Sequence, residues 1–350
     1  MKQLPAFDID RLVDTLCELL LTPSPTGSTG QAIELVRAKL APAGRMLQET
    51  RKGGLLATLP GESDAEPRAL TAHVDTLGAM VREIKDDGRL KLTRIGGFAW
   101  NTVEGEGCSV LTQAGEVVRG ALLLTKASGH IFGEEVATTE RDDDSLEVRL
   151  DARTDSAAET LALGIQVGDF VAFDPRLEQG PAGFIRSRHL DDKAGAACLV
   201  EAALALHEAG LKPAHATTLH FSNYEEVGHG AASGFPAGLA ELVAVDMAVV
   251  GPGQASDEFH VTICVKDSGG PYHQGLSRRL RYLAGEHGIP HRVDTYPHYG
   301  SDGEAAWRAG ADAAVALIGP GVDASHNYER THREALGATT GLILAYLLEA

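Results

Sequence analysis

Five short segments of this chain carry side chains that can do chemistry. They are AHVDT with His73 and Asp75, HLDDKAG with Asp191 and Asp192, NYEEVG with Glu225 and Glu226, AVDMA with Asp246, and DASHNYERTH with His326 and His332. Brought together, the carboxylates would repel one another, and each would be costly to bury without a partner. The five segments hold no matching set of lysines or arginines, so divalent metal is the natural compensation. Histidine and carboxylate without cysteine suit Zn, Co or Mn. Two histidines and three carboxylates suffice for two ions if one aspartate bridges them. A further carboxylate held off the metals would then act as general base on water. Taken singly, each residue has a plainer reading. His73 alone reads equally well as a core histidine, Asp191 and Asp192 could cap the helix that starts there, and Glu225–Glu226 could be an exposed pair at a strand end. Asp246 is harder to dismiss, because an acid inside LVAVDMAVV sits among residues that should be buried.

The elements that must position these residues follow from periodicity. Leu12, Val13, Leu16, Leu19 and Leu20 recur at helical spacing over residues 8–22, and Pro23 and Pro25 stop that helix. Ser28 or Thr29 is placed to cap a second helix that runs to about Leu40. Residues 55–59 and 69–74 read as strands. From residue 76 to 185, short β-like runs broken by glycine predict a small barrel or sandwich, with GEEVATTERDDDS an exposed, solvated loop. Beyond Arg188, helices over 192–209, 275–287 and 338–349 alternate with buried strands over 217–223, 242–249 and 260–267. Such alternation implies an α/β layer with a mainly parallel sheet. The expected organisation is a catalytic domain of two segments, residues 1–75 and 187–350, with a β-rich insertion over 76–186. Most of the chemical segments follow a strand or open a helix, and open α/β sheets bind ligands at the carboxyl ends of their strands. Segments about 250 residues apart could therefore meet on one rim.

Composition narrows the classes. A chain of 350 residues suggests two domains, and 43% hydrophobic with 23% charged residues describes a folded protein. A net charge of −18 argues against nucleic acid and anionic lipid as partners. No apolar run reaches the roughly 18 residues of a membrane span. MKQLPAFDIDRLVD has no secretory pattern, and Cys17, Cys108, Cys198 and Cys264 are widely spaced thiols without a CxxC pair. A cytoplasmic location is the expectation.

Read in order, the motifs resemble the dinuclear aminopeptidases of metallopeptidase family 42, the tetrahedral and glutamyl aminopeptidases, some of which bear endoglucanase labels. AHVDTLGAMVREIKDDGRLKLTRIGG, LALGIQVGDFV, LDDKAG, EEVGHGA, AVDMA and GIPHRVDTYPHYGSDGEAAWRAG each match a family segment. The resemblance implies that Asp191 bridges two metals, that His73 and Asp246 complete one site, and that Glu226 and His326 complete the other. It implies Glu225 as general base, Asp75 as the residue behind His73, and Asp302 as part of the substrate pocket. GPGVDASHNYERTH departs from the family's YxHS, so His332 stands as the alternative to His326. Tyr224 and Lys193 replace the commoner glutamine and arginine. The VDASHNYERTH ending resembles a bacterial subgroup linked with osmoprotectant-dipeptide metabolism. In the family, the inserted β domain forms dimers, which assemble into a tetrahedral twelve-subunit shell. The expected activity is metal-dependent removal of N-terminal residues from peptides. Its rivals are a metal-dependent deacylase or amidase on a small modified dipeptide, a glycosidase using Glu225 with another carboxylate, and a non-catalytic assembly protein. A glycosidase leaves the histidines unexplained.

Overall fold

Asp8 opens the first helix, its carboxylate accepting the N–H groups of Asp10 and Arg11. The helix Ile9–Leu21 then buries Leu12, Val13, Leu16, Leu19 and Leu20. At its far end the buried Lys193 donates Nζ to the carbonyls of Leu19 and Thr22, at 2.8 and 2.7 Å, adding to the Thr22 N–H that Leu19 already accepts. Lys193 thus secures a helix and does not face the site. The second helix is Gly30–Leu40, with Thr29 at its cap position. The computed structural model describes residues 3–43 and 46–350. Within it, the segments up to Asp75 and from Arg176 onward form one compact unit, and Thr76–Pro175 form another.

The first unit is an α/β layer on a mixed sheet. Its central strands run in the order Leu55–Leu59, His215–Ser222, Ser63–His73, Glu241–Val245, Ala314–Asp323. From His215–Ser222 onward each neighbouring pair is parallel, and antiparallel strands extend both flanks. Register matters for function: Ser222 lies opposite His73, Ala244 opposite Thr71, and Val245 opposite Ile318. Three adjacent strands therefore finish at one rim. The helix Leu190–Glu208 is buried nearly all round, its small alanines allowing close approach of sheet and helices. The closing helix Arg333–Leu348 is equally apolar. Among the described residues, no helix is long and apolar enough to cross a membrane.

The second unit is a closed barrel of six antiparallel strands around Val81, Leu92, Val110, Leu122, Val148 and Val171. It also carries the short helices Gly129–Phe132, Glu135–Thr138 and Ala157–Ala162, which the expectation of an all-β insertion omitted. Part of the acidic stretch is thus helical, and Asp142 ties a turn by accepting the N–H groups of Asp144 and Ser145.

Two further expectations need correction. The insertion ends at Pro175 and not at 186, because Phe184–Ser187 pairs antiparallel with Glu329–His332 in the sheet of the first unit. Residues 242–249 are not one strand: Glu241–Val245 stops, Asp246 and Met247 lie in the break, and Ala248–Val250 resumes.

Candidate metal centre

The rim gathers the candidate side chains. His73 is the last residue of its strand, Glu225 and Glu226 open the turn that comes two residues after His215–Ser222, and Asp246 follows on Glu241–Val245. Asp191 begins the helix Leu190–Glu208, where the Asp191–Asp192 peptide is cis. His326 lies in the turn between Ala314–Asp323 and Glu329–His332. Asp191 stands in the middle: its Oδ1 is 3.1 Å from His73 Nε2, and its Oδ2 is 3.3 Å from His326 Nε2. Glu225 approaches His73 Nε2 to 3.7 Å, and Glu226 approaches His326 Nε2 to 3.5 Å. Because a carbonyl can only accept, His73 Nδ1 donates to the Asp75 carbonyl at 2.9 Å, which turns Nε2 toward the carboxylates.

Asp75 acts mainly through its neighbours. Its buried carboxylate accepts from the Glu225 and Glu226 N–H groups at 3.2 and 3.3 Å and from the Thr26 hydroxyl at 2.7 Å. Its own oxygen is 3.7 Å from His73 Nδ1, so the carbonyl orients the imidazole and the carboxylate anchors the glutamate pair. Asp192 splits from Asp191. Its oxygens accept the N–H groups of His73 and Gly195, at 3.3 and 3.0 Å, so it caps the helix and pins the strand end. His73, Asp192 and Asp246 do lie close enough to hold one ion, and so do His73, Asp191 and Glu226. The two N–H bonds leave Asp192 the poorer ligand of the pair.

Burial and crowding set the electrostatics. Burial, reinforced by the charge of Asp191, pushes Glu226 up to about 8 and Asp246 up to about 7. Burial and the charges of Asp246, Asp302 and Glu226 hold Glu225 well above the usual carboxylate range. Burial disfavours the charged form of His73, yet its bond to Asp191 and the charges of Glu225, Asp75 and Asp246 raise it well above the ordinary imidazole value. For Asp191, burial is outweighed by the hydrogen bonds of His326 and His73, which lower it. Four carboxylates thus face two imidazoles, and burial with mutual repulsion makes Glu225, Glu226 and Asp246 hold protons more tightly than free carboxyls do. That donor set fits divalent cations, which displace such protons on binding.

Other residues fall outside the cluster. His332 is engaged elsewhere: Nε2 donates to the Ala182 carbonyl at 2.7 Å, Nδ1 accepts the Glu334 N–H at 3.2 Å, and the ring packs against Phe184 and Phe259. Asp302 does not line the pocket. It accepts from the hydroxyls of Thr71 and Ser222 and from the Ala231 N–H, knotting the rim from below. Glu304, in the same first helical turn, does line the cavity, lying against Gly269 and pairing with Arg308 at 2.8 Å. Tyr224, in a left-handed conformation (φ 76°), stacks on His229.

Glu329 was missed by sequence reasoning. Only 2% exposed, it accepts the Asp191 N–H at 3.1 Å and the His326 N–H at 3.0 Å. Burial and the Asp191 charge push it up to about 8 against the pull of those two bonds.

The cluster opens into a cavity of about 490 Å³, lined by Asp191 and Glu225 together with Tyr299, Ser268, Glu304 and His298.

The family model of the M42 glutamyl aminopeptidases matches residues 53–342. A Bacillus subtilis (strain 168) protein named "Putative aminopeptidase YhfE" is 45% identical over 339 residues, covering 97% of this chain and 98% of its own. Two solved structures share the fold. The aminopeptidase APDkam598 of the archaeon Desulfurococcus kamchatkensis matches with a TM-score of 0.87 at 22% identity, over 98% of this chain and 96% of that one. The Pyrococcus horikoshii TET1 peptidase, described as able to assemble into a tetrahedron or a large octahedral shell, matches at 0.85 and 21%, over 97% and 100%. The family match spans every segment from His73 to His326, and those segments meet on one rim; the chain therefore belongs to the M42 glutamyl aminopeptidases, a family of peptide-bond hydrolases.

Proposed function

We propose that this protein is an aminopeptidase that works with two divalent metal ions, Zn, Co or Mn, and releases N-terminal residues from peptides. The observation that carries the reading is Asp191, whose two oxygens each face a different histidine. Asp191 would bridge the ions, with His73 and Asp246 completing one ligand set and Glu226 and His326 the other. The chemistry such ions supply when bound is Lewis acidity, which lowers the pKa of water and polarises a carbonyl. Glu225 borders the cavity and is the general base. It takes a proton from the attacking water and returns it to the leaving nitrogen as the C–N bond breaks, so the residue departs as a free carboxylate. Glu225 and Glu226 lie in the turn 225–228, closed by the Gly228 N–H on the Glu225 carbonyl, and face different histidines, which lets them divide these tasks. Asp75 keeps both peptides in place. The cationic α-amino group of a substrate suits the acidic wall of the cavity.

The same reading takes the Thr76–Pro175 barrel as the dimerisation unit. Exposed Val117, Ile131, Leu161 and Val167 give it apolar surface to cover. Dimers would build a larger homo-oligomer, with a tetrahedral dodecamer as the candidate. Four buried, unpaired thiols support a cytoplasmic setting.

The test is a panel of aminoacyl-p-nitroanilides with free and acetylated N-termini, offered to chelator-stripped protein and to protein reloaded with Co or Zn. Reloading should restore cleavage of the free substrates only. Equal activity of stripped protein would sink the metal mechanism, and equal cleavage of acetylated substrates would point to a deacylase or amidase.

A further inference from the structure

Glu329 is buried beside the metal centre, yet it offers no oxygen to it. Both oxygens are taken by backbone N–H groups, one belonging to Asp191 and the other to His326. Its strand explains the reach: Glu329 lies opposite Ser187, where the neighbouring strand leaves the sheet four residues before Asp191. Both loops that it touches are conformationally unfavourable. His189, two residues before Asp191, has φ 70°, Ala324 has φ 57°, and His326 itself has φ 62°. Non-glycine residues in this region cost on the order of 1–3 kcal/mol each and persist only where the surroundings over-determine them. A carboxylate with two acceptors for two donors is such a constraint.

We infer that Glu329 is a positioning residue that locks Asp191 and His326 together, and that it governs uptake of the ion held by Glu226 and His326. The inference rests on the two-ion reading above. His73 and Asp246 have their own supports, the Asp75 carbonyl and the Met247 N–H. Loss of Glu329 should therefore fall unevenly on the two sites. Glutamine is the sharp substitution, because it keeps the size but turns one acceptor into an NH2 group that confronts an N–H.

Metal-free wild type, Glu329→Gln and Glu329→Asp are titrated with Co(II). The readouts are visible absorption, metal content after gel filtration, and the thermal midpoint of each metal-free protein. Wild type should take two ions. Glu329→Gln should hold the ion of Glu226 and His326 about 10–100-fold more weakly, the usual cost of removing a residue that orients a ligand, and the ion of His73 and Asp246 less so, since only Asp191 is shared. Its metal-free midpoint should fall modestly with the lost bond but not collapse, and Glu329→Asp should shift metal binding in the same direction. The inference is overturned if Glu329→Gln binds both ions as wild type does, or if both sites weaken together with a collapse of the metal-free midpoint. It is also overturned if neither variant folds, since Glu329 is then a determinant of the fold. Uptake of a single ion by wild type would remove the two-ion reading and this inference with it.

Discussion

Glu225 and Glu226 are adjacent in sequence but turn to different histidines, 3.7 Å from His73 and 3.5 Å from His326. Glu225→Gln should lower kcat by about 10²–10⁴-fold, the usual worth of a general base, while metal content stays at two per chain. Loss of metal instead would exchange the roles of the two glutamates. His326→Ala should halve the metal content. His332→Ala should leave the content intact but lower unfolding stability by about 1 kcal/mol through the lost helix cap alone. Metal analysis beside urea unfolding separates the two outcomes. That these side chains meet on one rim could be read in the sequence, because histidines and acids at strand ends announce themselves. Glu329 could not: it works through the N–H groups of residues 138 and three positions away, and no pattern of side-chain types marks a carboxylate as the partner of a distant backbone. Asp302 was misread for a related reason, since its hydroxyl partners, Thr71 and Ser222, come from two other strands.

At the scale of elements, the break at Asp246 does most to shape the site. The strand stops so that its carboxylate can turn to the rim, and the Asp246 N–H still bonds the Ile318 carbonyl next door at 2.9 Å. This close approach demands glycine at 319, where an added Cβ would lie 1.7 Å from the Asp246 carbonyl oxygen. Gly319→Ala should therefore displace Asp246, weaken metal binding at the site shared with His73, and lower the melting temperature. Retention of full metal affinity would contradict that account. An eight-residue apolar run carries no signal for such a break, because Asp246 is the one residue that differs and an acid can sit in a strand or end it. The boundary at 175 was illegible for the same kind of reason. Residues 178–187 have the β texture of the barrel, and only their pairing with Glu329–His332 assigns them to the other sheet.

For the whole molecule, the net charge of −18 includes a site that holds protons when metal is missing. Unfolded carboxyls lose their protons near pH 4, whereas Glu226 and Glu329 keep theirs to about 8 and Asp246 to about 7. The folded metal-free chain then binds more protons than the unfolded one, so its stability falls as pH rises from about 6.5 to 8. Raised His73 acts in the same direction, since its stabilisation is lost as pH climbs through its folded value. Lowered Asp191 matters only in acid, below the window. Lys193, pushed down to about 7 by burial, opposes the trend above that pH, but the raised groups outnumber it. Thermal unfolding of chelated protein at pH 6.5 and 8 checks the sign, and a rise across the window would refute it. The barrel, with its closed sheet and its own core, should fold when residues 76–175 are expressed alone, giving a cooperative melt and a β-type circular dichroism spectrum. The strand Ser63–His73 has a different fate. Both of its neighbours in the sheet, His215–Ser222 and Glu241–Val245, lie beyond the barrel in sequence. During synthesis, the strand that will carry His73 emerges early and waits some 140 residues for a partner, with both edges open to other chains. Nascent chains stalled within the barrel should accordingly recruit chaperones or aggregate, even after the barrel itself has closed.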